Sequence, residues 1–263
     1  MTSPRHPRGR GRTTAGALTA TGLSIGMLMA SAALTPASAA AWPSASGSQA
    51  VTATISLTGS KDYGMLRLYG SGALGTGDQA EDQKPILTLA DGVTLKNVII
   101  GAPGADGIHC LGSCTLQNVW WEDVGEDAAT FRGGSSATYN VVGGGAKKAS
   151  DKVFQHNGGG TVNISDFAVR EFKTLYRSCG DCSTQYTRKV NLSTVEVTGT
   201  GSTARLVGIN VNRNDVATLR GITILNDASR KVVPCQKYNN NTAVGRGPDS
   251  TNCLYSTSDI TYR

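Results

Sequence analysis

A six-residue stretch of this chain recurs at a spacing of 21 with four of its six residues unchanged. Val93-Thr94-Leu95-Lys96-Asn97-Val98 returns as Cys114-Thr115-Leu116-Gln117-Asn118-Val119, and Asp106 returns as Asp127. A third, looser copy runs to Phe154 and carries Asp151, with Lys152 beside it. Self-similarity at a period of roughly 20 to 50 residues marks stacked units, each leaning on its neighbours. The apolar frame continues beyond these copies. Leu95, Leu116, Ile164, Leu192 and Leu219 each lie three residues before Val98, Val119, Phe167, Val195 and Ile222. A rung with Tyr139 and Val141 falls between the second and third of these, and counting through Tyr139 gives intervals of 21, 23, 25, 28 and 27. Rungs that lengthen toward the C-terminus through their loops are what insertions in a solenoid produce.

No amphipathic helix is legible from Val51 onward. Short runs of Val, Ile, Leu and Thr are broken every few residues by Gly, Asn, Asp or Ser, a pattern of many short strands. Together with the period, this predicts an all-β fold, a single-domain right-handed parallel β-helix spanning residues 51–263. A β-sandwich would instead show hairpin signals between closely spaced strands. Stacked coils place equivalent residues roughly 4.8 Å apart, so sequence spacing becomes spatial adjacency. Asn97 and Asn118 then form an asparagine ladder at a turn. Trp120 and Trp121 face opposite ways, one into the core and the other available as a sugar platform.

Residues 1–40 read as a removable leader. Arg5, Arg8, Arg10 and Arg12 precede an uncharged run from Thr13 to Leu34 that ends in Ala37-Ser38-Ala39. Cleavage after Ala39 or Ala40 is expected, with secretion to the extracellular space and no membrane association once the leader is gone. A membrane anchor fits less well, because the run is rich in Ala, Gly, Ser and Thr. Residues 41–50 read as a short flexible N-terminal segment. The formal net charge of +6 includes the four leader arginines. Without them, 21 basic residues face 19 acidic ones, a net of +2 that gives no support for a nucleic-acid partner. Six cysteines in an exported chain suggest disulfides, and the local pairs Cys110–Cys114, Cys179–Cys182 and Cys235–Cys253 are the expectation. A zinc site fits the spacings poorly.

The repeat brings Asp106, Glu126 and Asp127 to one edge. Three adjacent carboxylates repel one another unless a cation neutralises them or the edge is simply solvated. A hard divalent ion fits such oxygen donors, and Ca2+ fits best. Lys152 follows Asp151, taken as the next register position, while Lys173 and Arg177 lie one coil further on. Carboxylates, amine and guanidinium along one groove suit an anionic polymer such as a uronic-acid polysaccharide. A 4-linked uronate can be cleaved by β-elimination, in which a base removes the C5 proton while a carboxylate-bound cation stabilises the developing charge. Neighbouring cations would lower a lysine's pKa toward that task, so Lys152 is the candidate base. Arg177 is the alternative base or a substrate clamp. His109 reads as structural, and neither it nor His156 is expected to catalyse.

Several motifs occur in order: Glu81-Asp82-Gln83-Lys84-Pro85-Ile86, Ala105-Asp106-Gly107-Ile108-His109-Cys110, Trp120-Trp121-Glu122-Asp123-Val124, Gly125-Glu126-Asp127-Ala128, Ala149-Ser150-Asp151-Lys152-Val153 and Leu175-Tyr176-Arg177-Ser178-Cys179-Gly180. From about Glu81 to Asn214 the chain closely resembles polysaccharide lyase family 3 pectate lyases of the secreted bacterial kind. The resemblance implies a parallel β-helix and Ca2+-dependent β-elimination of polygalacturonate. Carried over by position, it implies Asp106, Glu126 and Asp127 as metal ligands, Lys152 as catalytic lysine and Arg177 as substrate-binding arginine. Two places depart from the family pattern. Lys173 is displaced by one residue from the lysine of Gly-Lys-Leu-Tyr-Arg, which would redirect its side chain in a strand and weaken its role as a second substrate cation. Gly125 stands where many relatives have cysteine, which favours Cys114 as the partner of Cys110. A polygalacturonase-type hydrolase and a non-catalytic pectin-binding β-helix are the rival functions. A capped solenoid of this kind is expected to be a monomer.

Overall fold

The computed structural model describes residues 41–199 and 201–263. The leader assigned to residues 1–40 lies outside them. Consecutive coils pair in parallel: Val93–Ile100 with Cys114–Trp121, that strand with Thr138–His156, and then Gly160–Ser178 and Arg188–Thr198. Arg188–Thr198 pairs onward with Val216–Arg220 and Ile222–Leu225. The expected parallel β-helix is the fold.

One backbone feature keeps the coils in phase. Asn97, Asn118, Gly143, Asp166, Thr194 and Gly221 occupy equivalent positions, and their φ angles are 50, 54, 68, 54, 54 and 60°. Each coil therefore turns between two strand legs through a left-handed residue at the same corner. Gly, Asn and Asp reach this region at the least steric cost. The asparagine ladder runs along this corner. Asn118 Nδ2 donates to Asn97 Oδ1 at 2.8 Å, and Asn97 Nδ2 donates to Asp62 Oδ2 at 2.8 Å. Thr194, β-branched and exposed, is the misfit of the set.

Inside, Leu95, Leu116, Val141, Ile164, Leu192 and Leu219 stack in one fully buried column. The rung position is thus Val141 rather than Tyr139, which pairs with Cys114 and Val162. The intervals become 21, 25, 23, 28 and 27, so coil length does not grow steadily. Tyr139 and Val141 both face the core, and a slip of two residues leaves the inward pattern unchanged, which is why periodicity could not separate them. Trp121, Phe154 and Phe167 fill the interior with ring centroids 5.3–6.4 Å apart.

Trp120 is not an open sugar platform. Trp42 packs edge-on against it at 5.0 Å, and its Nε1 donates to Asn118 Oδ1 at 2.7 Å. Residues 41–50 accordingly do more than approach the domain: Gly47–Val51 pairs in parallel with Leu66–Gly70. The disulfides are Cys110–Cys114, Cys179–Cys182 and Cys235–Cys253, as expected.

The misfit at the corner gives a test. Thr194→Asn should stabilise the fold by about 1 kcal/mol, since the left-handed region costs roughly that much for a β-branched residue. Thermal unfolding followed by circular dichroism should show a rise of about 2–4 °C. An unchanged or lower midpoint would mean the corner conformation carries no strain at Thr194.

Candidate functional site

The short strands Ile108–Cys110 and Ala129–Phe131 pair with each other, and the second pairs with Phe154–His156. Two residues upstream of this aligned edge stand Asp106, Asp127 and Lys152. The sequence reading put Asp151 at the third position. The coil is 25 residues long here, so Lys152 is level with Asp127 and Asp151 with Glu126. The adjoining backbone bonds fix this: Ile108 N–H donates to Ala128 O at 3.1 Å and Ala128 N–H to Val153 O at 2.9 Å. Gly125 lets the coils close up at this edge, because a Cβ there would lie 2.0 Å from the Ala105 carbonyl oxygen. A cysteine at this position has no room, in keeping with Cys110 joining Cys114.

Asp106, Glu126 and Asp127 are 7, 6 and 2% exposed, and one oxygen from each lies within 4.8 Å of the others. Burial, reinforced by Asp106, pushes the Glu126 carboxyl up to about 7. Burial likewise raises Asp127 well above the carboxylate range, although Lys152 opposes it. Asp106 Oδ1 and Asp127 Oδ1 are buried with no hydrogen-bond partner among the described residues. Orphaned carboxylate oxygens turned toward one point are a donor set for a hard divalent cation, so the three residues fit the expected ion.

His109 is more than a filler of its rung. It lines the groove, and its Nε2 lies 2.6 Å from Asp106 Oδ2. On its other side Arg132 Nη1 lies 3.1 Å from Nδ1. A guanidinium can only donate, so Nδ1 accepts and Nε2 carries the proton given to Asp106. His156 is held away from chemistry: it is fully buried against Tyr176 Oη and Gly159 O, and burial drives its pKa down to about 3.

Acids, rather than the expected cations, surround Lys152. Its Nζ lies 2.7 Å from Asp151, 3.4 Å from Glu126 and 3.7 Å from Asp127. Burial works to lower its pKa, but Asp127, Asp151 and Glu126 overturn this and hold the ammonium above the ordinary lysine range. Lys173 pairs with the other oxygen of Asp151 at 3.0 Å. The register slips between Phe172 and Thr174, and this irregularity leaves the displaced lysine lining the groove.

Arg177 is locked in place. Its Nη1 donates to Ser178 O at 2.7 Å, and its Nη2 to Asn240 O at 2.7 Å and Asn241 Oδ1 at 3.3 Å. Tyr238 stacks on the guanidinium with the ring centroid 4.0 Å away. Gly208 makes the stack possible, since a Cβ there would come within 3.0 Å of both Arg177 Cδ and Tyr238 Cε2. Burial lowers the Arg177 pKa, with Tyr238 and Asp215 opposing.

These residues line a groove of about 900 Å³, into which Arg205, Tyr238 and Asn241 also turn. Sequence reasoning missed these last three. Tyr238 and Asn241 belong to a hairpin whose first strand stacks in parallel on Ala204–Asn210 but repeats no earlier motif, and Arg205 has no counterpart in the earlier copies. Its register with Thr174 was the one available signal.

A parallel β-helix with paired acids and a row of cations along one groove defines a protein built to hold an anionic polymer. The family model described as pectate lyase matches residues 39–243. Pectate lyase E of Emericella nidulans is 47% identical over 180 residues, covering 68% of this chain and 69% of that one. Among solved structures, the catalytic domain of pectate lyase PelI from Erwinia chrysanthemi is 34% identical, with a TM-score of 0.68, covering 82% of this chain and 100% of that one. PelI in complex with tetragalacturonic acid is also 34% identical, with a TM-score of 0.66, covering 81% of this chain and 70% of that one. The chain belongs to the pectate lyase family. Its likeness spans fungal sequences as well as bacterial structures, so the resemblance is not of a bacterial kind only.

The raised carboxyls give a stability prediction. An acid whose folded pKa exceeds its unfolded value destabilises the fold as pH rises, because the unfolded state loses that proton first. In chelator, the thermal midpoint should therefore fall between about pH 4.5 and 7 as Glu126 and Asp127 are forced to ionise. Lys152, whose folded pKa is also raised, likewise loses its contribution as pH rises, but only at alkaline pH, outside this window. Excess divalent cation should recover most of the loss at pH 7. A midpoint insensitive to both would mean that the three acids are not electrostatically coupled.

Proposed function

We propose that this pectate lyase is secreted and cleaves α-1,4-linked polygalacturonate by calcium-assisted β-elimination, leaving 4,5-unsaturated oligogalacturonates. The observation that carries this reading is the alignment of Asp106, Asp127 and Lys152 on successive coils, which sets an amine against a carboxylate cluster. Asp106, Glu126 and Asp127 would hold Ca2+. Bound there, the ion supplies positive charge that neutralises the cluster and stabilises the charge building on the substrate carboxylate.

The chain's own side chains do the rest. Lys152 is the group that takes the C5 proton, which requires its neutral form at the working pH; the acids around it hold the proton on in the cation-free protein, and a cation on Asp106, Glu126 and Asp127 would offset that pull. Its pairing with Asp151 aims Nζ along the groove. As the proton leaves C5, the C4–O4 bond breaks, the C4=C5 double bond forms, and the departing oxygen acquires a proton. Arg177, immobilised by Tyr238 and the Asn240–Asn241 turn, offers its positive charge to the uronate carboxylate and is the alternative base. Lys173, tethered to Asp151, is the second substrate cation.

Ultraviolet absorbance of the unsaturated product, followed on polygalacturonate with Ca2+ or EDTA, tests the reaction. Absorbance that grows with Ca2+, vanishes in EDTA and strengthens toward alkaline pH is expected. Falling viscosity without absorbance would mean hydrolysis instead. Lys152→Ala should lose at least about 100-fold in turnover while calorimetry still detects calcium binding. Asp127→Ala should lose both, and identical defects in the two variants would leave Lys152 with a structural role only.

A further inference from the structure

The groove continues past Arg177. Thr174 pairs with Lys152 on one side and with Arg205 on the other, so the edge that carries Asp127 and Lys152 runs on through Thr174 to Arg205. Two coil spacings separate Lys152 from Arg205, roughly 10 Å along the stack. The groove's other cations have partners within the protein. Lys152 and Lys173 share Asp151, Arg132 donates to His109, and Arg177 is held by Ser178, Asn240 and Asn241. Arg205 differs. It lines the groove and is half-buried, and its Nε is buried without a hydrogen-bond partner among the described residues.

A guanidinium that keeps a desolvated N–H with no acceptor is prepared for an acceptor that arrives from outside. Its fork of donors matches a carboxylate better than a hydroxyl. A 4-linked uronate chain lying along the stack carries one carboxylate on every sugar. Each sugar advances by a length comparable to one coil.

We propose that Arg205 is a specificity-determining residue that binds the free carboxylate of a uronate unit seated two coils from Lys152. This rests on the reading of the groove as a pectate lyase site, and it adds a demand that reading does not make. The enzyme reads ionised carboxylate at a second place, away from the bond that breaks. A methyl ester at that place removes the charge and adds bulk, so the polymer binds less well even when the scissile unit is unesterified.

The test compares the wild type with Arg205→Met, which keeps the apolar stem, and Arg205→Lys, which keeps the charge. Each is assayed on polygalacturonate and on pectins of rising methyl-ester content. Arg205→Met should lower kcat/KM on polygalacturonate by about tenfold, carried mainly by KM, the size expected for one charge-assisted carboxylate contact. Its decline in activity with ester content should be shallower than that of the wild type. Arg205→Lys should recover part of both effects. An unchanged KM and an unchanged ester profile in Arg205→Met would overturn the proposal, as would a loss carried by kcat at every ester content. If the wild type forms no unsaturated product, the lyase reading fails by itself. Calorimetric affinity for saturated oligogalacturonates then decides about Arg205, with weaker binding by Arg205→Met expected and equal binding overturning the assignment.

Discussion

The parallel backbone register between coils is the constraint on which the rest of this molecule depends. Each strand is pinned to the coil before and the coil after it, so a residue's neighbours are set by counting along the chain rather than by side-chain preference. The left-handed corner makes the counting robust. A residue of positive φ at the same corner of each coil, from Asn97 to Gly221, resets the phase between the two strand legs, and coils of different length still meet in step. Length differences are confined to the loops, while the Leu95 to Leu219 column stays continuous and buried.

The same register creates the conflict at the site. Stacking brings Asp106 and Asp127 onto adjacent coils and adds Glu126 beside them, all three nearly withdrawn from water. No fold gains stability from that arrangement, as the upward push on Glu126 and Asp127 attests. Lys152 offsets part of the repulsion, and His109, with its tautomer set by Arg132, satisfies one oxygen of Asp106. Asp106 Oδ1 and Asp127 Oδ1 remain without a hydrogen-bond partner among the described residues. A local violation of this kind marks a candidate functional site.

The groove has two halves with different origins. Its acidic half comes from tight coils in the repeat, where backbones approach so closely that Gly125 has no space for a side chain. Its basic half depends on longer excursions: the Cys179–Cys182 loop and the turn at Asn240 and Asn241 pack together and grip Arg177, while Tyr238 covers its face. Holding a long cationic side chain before the polymer arrives reduces the entropy lost on binding.

The sequence by itself determined the β-helix, the core columns, the asparagine ladder and the gathering of Asp106, Glu126 and Asp127, and it suggested, without fixing, the three local disulfide pairs. All but the disulfides follow from a repeat of 21 to 28 residues, because periodicity converts directly into contact where strands stack. Tertiary structure alone decided matters of one or two residues and of long-range packing. It chose Val141 over Tyr139, since both face inward, and it placed Lys152 rather than Asp151 level with Asp127, since one extra residue in a coil is invisible to pattern. It also covered Trp120 with Trp42 and delivered Tyr238, Asn241 and Arg205 to the groove from segments that share no motif with the repeat. Arg205 and Tyr238 sit on strands that stack in the same solenoid but repeat no earlier motif, so only the folded chain reveals them.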